Sequence, residues 1–334
     1  MNKMNKYLLI LKTFNWVLAR QNLVNILTYN VRDEFYRLNQ KVYSLTNKLR
    51  HAQFELLYFK VLDYFAKNGN GLYSEEVSFL EETGRLTEFP YPRLKTLDAV
   101  TCAIDPANSL PYVLHRGKKL YYPKTWSLSL VIEQYTNLVE KENIVGGGFS
   151  AKCPHQYQTD RFHVRDTDTV LDIGAAEGLF ALDVIDSVEN VMVIEADALW
   201  AEPLAATFAP YAHKAKIINK FISDKDSPTE ITIESCLQLH AVKSLFIKMD
   251  IEGEECKVIG SNERLLNAAM DLRVVCCTYH NRDDATVLKG MLERSGYITE
   301  FSDGFVLFIW DENIQPPYFR HGLIRAKRQA FERV

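Results

Sequence analysis

Glycine and proline are scarce in this chain, 15 and 11 among 334 residues, and neither occurs anywhere in residues 3–67. A stretch that long without a turn residue excludes a hairpin or sandwich there and leaves a helical reading. No C-x-x-C and no His-x-x-x-His occurs, so the usual signatures of a zinc site are missing. The six cysteines, at 102, 153, 236, 256, 276 and 277, stand apart except for the last pair. That pair lies in an apolar run, where free cysteine acts as a small buried hydrophobe. Cysteine usage, with no cleavable leader, points to a reducing cytoplasm. Charge of one sign is missing too: 39 basic against 43 acidic residues give a net charge of −4, no footprint for nucleic acid. Long apolar runs are absent. The longest near the start, Tyr7–Ala19, is broken by Lys12 and Asn15 and is too short to span a bilayer. It reads as an amphipathic helix, without the one-sided Lys and Arg of a membrane-surface helix.

What is present falls into three segments. Residues 1–92 form a helical region. Leu38, Val42, Leu45 and Leu49 make one apolar stripe; Phe54, Leu57, Val61 and Tyr64 make another. This region reads chiefly as a cap on the catalytic part, with an oligomerisation or partner-binding arm as the alternative. Asn68-Gly69-Asn70-Gly71 ends it, and Ser74 is placed to cap a short helix. Residues 93–150 read as a small β-rich lead-in: strands at Asp98–Ala103 and Pro111–His115, a hairpin signal at Arg116-Gly117, and a helix over Ser127–Val139. Gly146-Gly147-Gly148 reads as a flexible joint. Residues 151–334 then alternate strand and helix as a parallel α/β sheet requires.

That last segment is organised by Val170-Leu171-Asp172-Ile173-Gly174-Ala175-Ala176-Glu177-Gly178. A short apolar strand closes on glycine, and a helix opens at Leu179. Ligands of doubly wound sheets sit at such a turn. A dinucleotide loop would read G-x-G-x-x-G; here Ala176 and Leu179 stand at the second and third glycine positions. The pattern is D-x-G-x-x-x-G, with Asp172 two residues before the first glycine. An acid there repels a pyrophosphate and suits a cationic ligand, S-adenosylmethionine. Glu195 closes the next strand at the spacing where an acid reaches ribose hydroxyls. Ala175 and Ala196 flank these two acids. Ile222 and Ser223, at the end of a third strand, are placed along an adenine edge. A nicotinamide-dependent oxidoreductase remains the rival reading, and a non-catalytic protein working through its helical arm is a third.

The order of that glycine loop, Ile194-Glu195, Ile222-Ser223-Asp224-Lys225, and Phe246-Ile247-Lys248-Met249-Asp250-Ile251-Glu252-Gly253-Glu254-Glu255 resembles the FkbM-type methyltransferases. The Lys-x-Asp-x-Glu-Gly-x-Glu segment is the most specific part, and the resemblance covers about residues 153–311. It implies a Rossmann-like, seven-stranded class I methyltransferase sheet and S-adenosylmethionine as donor. It also implies O-methylation of a hydroxyl on a sugar, glycan or natural product. Asp172, Gly174 and Gly178 match the family's first motif and Glu195 its ribose acid. Met249 departs from the usual Ile, an apolar exchange.

Methyl transfer to a hydroxyl needs the oxygen aligned and its proton removed. His280, at the tip of the fifth strand, is the first candidate base, and Asp250, at the tip of the fourth, is the second. Both side chains are expected to point into one crevice. His155 and Tyr157, just before the first sheet strand, are placed to touch cofactor or acceptor, as is Glu252. Asp250, Glu252 and Glu255 could converge on a metal, but the ligand spacing gives no support and none is expected.

Overall fold

The computed structural model describes residues 29–93, 100–142, 152–237, 242–268 and 270–328. The readings placed on Tyr7–Ala19, on Asp98 and on Gly146–Gly148 lie outside them. In chain order come α1 (Tyr29–Asn68), α2 (Ser74–Thr83), β1 (Cys102–Ile104), β2 (Pro111–His115), β3 (Lys118–Tyr121) and α3 (Leu128–Glu142). Next are β4 (Thr169–Ile173), α4 (Leu179–Val184), β5 (Asn190–Ile194), α5 (Ala201–Phe208), β6 (Ala215–Ile218), β7 (Phe221–Ile222), β8 (Glu230–Ile231) and α6 (Ile233–Cys236). The rest are β9 (Ser244–Met249), α7 (Glu255–Ser261), α8 (Glu263–Leu266), β10 (Asp271–Cys277), α9 (Asp284–Arg294), β11 (Tyr297–Phe301), β12 (Phe305–Leu307), β13 (Phe319–His321) and β14 (Leu323–Arg328).

Seven strands form one sheet in the order β11-β14-β10-β9-β4-β5-β6. β4 pairs in parallel with both β5 and β9, so the chain leaves it first to one side and later to the other. This is the switch point predicted from the glycine loop. β14 runs antiparallel between β10 and β11, with Val275 opposite Arg325. Side chains alternate across the sheet. Val170, Phe246 and Val275 pack with Phe180 and Leu204 on one face; Leu171, Ile247 and Val274 pack with Val258, Leu288 and Leu292 on the other. The lead-in strands make a separate antiparallel sheet, closed by the left-handed pair Arg116 and Gly117.

The C-terminal end departs from a simple strand–helix alternation. Phe305–Leu307 stays out of the main sheet and pairs with β13 in a two-stranded sheet. The basic segment Leu323–Arg328 supplies the seventh strand, with Arg325 buried and donating to the carbonyls of Gln156 and Tyr157. Ser74 is the first residue of α2 rather than its cap. The chain divides into two compact units, Met1–Lys60 and Val61–Val334. The lead-in shares the second unit because buried His115 on β2 binds Tyr135 on α3 and Asp183 on α4. Among the described residues no helix is long and apolar enough to cross a membrane.

Candidate active site

Gly174 leaves β4 with φ +70°, and a Cβ there would lie 1.8 Å from the Asp250 carbonyl oxygen. The close approach that demands glycine is therefore to the neighbouring strand tip. Gly178, with φ +82°, starts α4 against Phe208 and Leu204, where a Cβ would meet both side chains. Between them Ala176 is also left-handed, at φ 46°. Lys248 fixes this loop from below. Its ammonium lies 2.9 Å from Asp172 Oδ1 and donates to the Gly174 carbonyl at 2.8 Å.

Asp172 is enclosed beneath the loop. It is 0% exposed, its second oxygen accepts from the Ala181 N–H, and its charge is answered by Lys248. The sequence reading aimed this acid at a cationic ligand; in the structure its partners are Lys248 and the Ala181 N–H, and with Lys248 it holds the loop in place. Burial opposes the charge on Lys248, but Asp172 and Asp250 outweigh it and raise the lysine above its ordinary value.

A crevice of about 420 Å³ opens above the loop. Gly174, Ala176, Glu195, Ala196, Ile222 and Asp250 all line it, with Asp197, Trp200, Phe221, Ile251 and Glu252. Glu195 accepts from the Ala176 N–H at 2.8 Å and from the Asp197 N–H at 2.7 Å, which fixes its carboxylate at the rim. Phe221 is 61% exposed, an open apolar face beside Ile222. Ala175 is buried, its N–H donating to Ile194. Ser223 does not line the crevice; its hydroxyl serves Asp224 and Glu230.

Asp250 stands at the end of β9, and three side chains converge on it. His280 Nε2 is 3.3 Å from one carboxylate oxygen; His155 Nε2 is 3.6 Å from the other, to which the Tyr157 hydroxyl donates at 3.3 Å. Behind His280, buried Glu255 receives Nδ1 at 3.1 Å and also accepts from the Ile251 and Gly253 N–H groups. Glu252 is exposed and left-handed at φ 58°, with its carboxylate 3.9 Å from His280 Nε2. Burial lowers His280, but the bond to Glu255 and the charges of Asp250 and Glu252 override it and raise its pKa. Burial and Lys141 push His155 down to about 4, so it is neutral. Burial resists the charge on Asp250, yet the hydrogen bond from His155 and the cations Lys248 and His280 keep it ionised.

The structure thus brings Asp250 and His280 together but ranks them differently from the sequence. Asp250 lines the crevice; His280, nearly buried, stands behind it. His155 and Tyr157 are also buried and reach the carboxylate rather than open space. The sequence reading missed Lys248, although it stood inside the most specific motif, and missed Asp197, Trp200 and Phe221. Asp250, Glu255 and His280 lie close enough to share a cation, as do His155, Asp250 and Cys277. In the first set the imidazole already sits between the two carboxylates.

The strand order β6-β5-β4-β9-β10-β14-β11 with β14 antiparallel, a glycine loop at the switch point and an acid closing β5 define a Rossmann-like class I methyltransferase fold. No family profile and no curated protein matches the sequence. Among solved structures, methyltransferase FkbM from Methylobacillus flagellatus KT is similar, at 19% identity over 49% of this chain and 44% of that chain, with TM-score 0.40. The match thus spans less than half of the Methylobacillus protein. Precorrin-6y C5,15-methyltransferase from Geobacter metallireducens GS-15 is 14% identical over 50% of this chain and 82% of that chain, TM-score 0.33. An rRNA methylase from Streptococcus thermophilus is 9% identical over 50% and 90%, TM-score 0.34.

Proposed function

We propose that this protein is an S-adenosylmethionine-dependent O-methyltransferase acting on a hydroxyl of a sugar, glycan or natural product. The observation that carries the reading is the crevice at the β4 switch point, rimmed by fixed Glu195 and closed at its floor by Asp250. Its volume lies in the range of small-molecule sites. The fit is specific: Glu195 offers carboxylate oxygens to a ribose, Phe221 and Ile222 an apolar wall to a purine, and Asp250 a negative charge near a cation. When bound, the cofactor supplies an activated methyl group.

This chain's residues then have to orient an acceptor hydroxyl and take its proton. Asp250 is the group at the crevice wall, and it accepts the hydrogen bond from that hydroxyl. His280 Nε2, 3.3 Å behind it, carries the proton onward once its own has left. Glu255 holds the ring by Nδ1. His155 and Tyr157 orient Asp250 from the other side. Because His280 is raised, turnover should climb with pH through a midpoint above the ordinary ~6.5 of histidine.

The first test is calorimetry with S-adenosylhomocysteine. It should bind, and Glu195→Ala should weaken it by roughly 10- to 100-fold, the worth of charge-assisted hydrogen bonds. Binding of NAD without binding of the adenosyl ligand overturns the proposal in favour of an oxidoreductase. With an acceptor in hand, His280→Gln should lower turnover by roughly 10²- to 10⁴-fold with cofactor affinity kept, and Asp250→Asn should lower turnover by as much while also weakening cofactor binding.

A further inference from the structure

Helix α1 carries a second pattern, separate from the crevice. Leu38, Val42, Leu45, Leu49, Ala52, Leu56 and Phe59 follow one another in alternating steps of four and three. Written as heptads, Val42, Leu49 and Leu56 occupy position a, and Leu38, Leu45, Ala52 and Phe59 occupy position d. A helix laid on a globular core shows a broader apolar stripe at a period of 3.6. A strict 3.5 period over three heptads is the seam of a left-handed coiled coil.

The seam is uncovered. Leu38, Leu45, Leu56 and Phe59 are 53%, 56%, 56% and 65% exposed, and Val42, Leu49 and Ala52 are exposed as well. Farther along the same helix, Val61 and Phe65 are buried. The seam stops there, because the next a position is Asp63, which pairs with Lys67 within the helix. The exposed stretch spans about 32 Å at 1.5 Å per residue.

We infer that this seam is the interface of a parallel, two-stranded coiled coil between two copies of this chain. A second copy offers the same heptads in the same register. In the heptad of Val42 and Leu45, a β-branched residue at a with Leu at d is the combination that favours two strands. The flanks agree. In a parallel pair each g residue faces the e residue of the partner's next heptad. Glu55 at g then faces Lys60 at e, an opposite-charge pair, while Lys41 and Lys48 at g face the neutral Thr46 and Gln53. No like charges meet along this stretch. Among the described residues Glu55 pairs with His51, an exposed i,i+4 contact of little worth.

The test is sedimentation of the full chain with paired substitutions. The wild type should sediment at twice the chain mass. Leu45→Asp with Leu49→Asp should raise the dissociation constant by ~100-fold or more, since each copy loses two buried leucines. Its melting transition and any adenosyl-ligand binding should stay as in wild type, which separates a lost interface from a lost fold. No cysteine occurs before Cys102, so new thiols report cleanly. Leu49→Cys, an a position that meets its own copy, should cross-link on mild oxidation beyond the wild-type level, and Asn47→Cys, on the outer face, should not. A wild-type monomer, a trimer or larger assembly, a dimer that survives the double substitution, or a dimer without the Leu49→Cys cross-link overturns the inference.

Discussion

Lys248→Met isolates the buried ion pair beneath the glycine loop. Methionine keeps the apolar stem that fills the space between β4 and β9 but removes the ammonium. Asp172 then stays buried with the Ala181 N–H as its remaining donor, at 3.1 Å. Breaking a buried pair by removing one partner costs about 3–5 kcal/mol, because an uncompensated charge stays inside. At about 2–4 °C per kcal/mol for a unit of this size, the melting temperature should fall by roughly 6–20 °C. Asp172→Asn in the same chain removes the orphaned charge and should recover much of the loss, a coupling of about 1–3 kcal/mol. Thermal unfolding of the wild type, both single variants and the double variant completes the cycle. A Lys248→Met protein within about 1 kcal/mol of wild type, or a double variant no better than the single, refutes the argument. The Gly174 carbonyl also loses its lysine, so S-adenosylhomocysteine affinity should drop alongside stability.

Two further outcomes follow from the same loop. Burial lifts Glu177 from its ordinary 4.5 to about 7. The folded state therefore holds this proton longer than the unfolded state, so stability falls as pH rises from about 4.5 to 7, by about 3 kcal/mol, and stays lower above. Glu177→Gln should raise the melting temperature at pH ~8 and change it little at pH ~4.5; an equal shift at both contradicts the assignment. Gly174→Ala should cost about 3 kcal/mol or more and abolish adenosyl-ligand binding, since its Cβ meets backbone at 1.8 Å. Gly296→Ala, equally left-handed but in open space, should cost only ~1–2 kcal/mol, and similar losses at both sites would show that strain alone matters.

The sequence was most legible where a local pattern had one physical solution. The run Val170–Gly178 has the period and glycines of a strand turning into a helix, and it lies at the switch point of the sheet. The strand-ending acids Glu195 and Asp250 reach the crevice because strand ends of one parallel sheet share a side. Pairings between distant residues were not legible. Asp172 looked like a ligand group because its partner, Lys248, stands 76 residues along and meets it only across β4 and β9. His280 looked like a residue at the crevice wall because nothing local shows Asp250 lying in front of it. The last strand was hidden by its own charges. Leu323–Arg328 carries Arg325, Lys327 and Arg328, and the carbonyls of Gln156 and Tyr157, with Glu300 3.8 Å away, explain how Arg325 can be buried.

That inserted strand has a consequence for how the protein comes to be made. β10 and β11 do not pair with each other; each pairs with β14, which is synthesised after both. Until residue 323 has left the ribosome, β10 presents a bare row of amide and carbonyl groups and β11 has no neighbour in the sheet. A nascent or prematurely stopped chain therefore displays an open apolar strand, Leu272–Cys277, to any other chain nearby. The order of translation leaves this half of the sheet to close in a single late event, and that interval is when the protein is most exposed to aggregation and most in need of a chaperone.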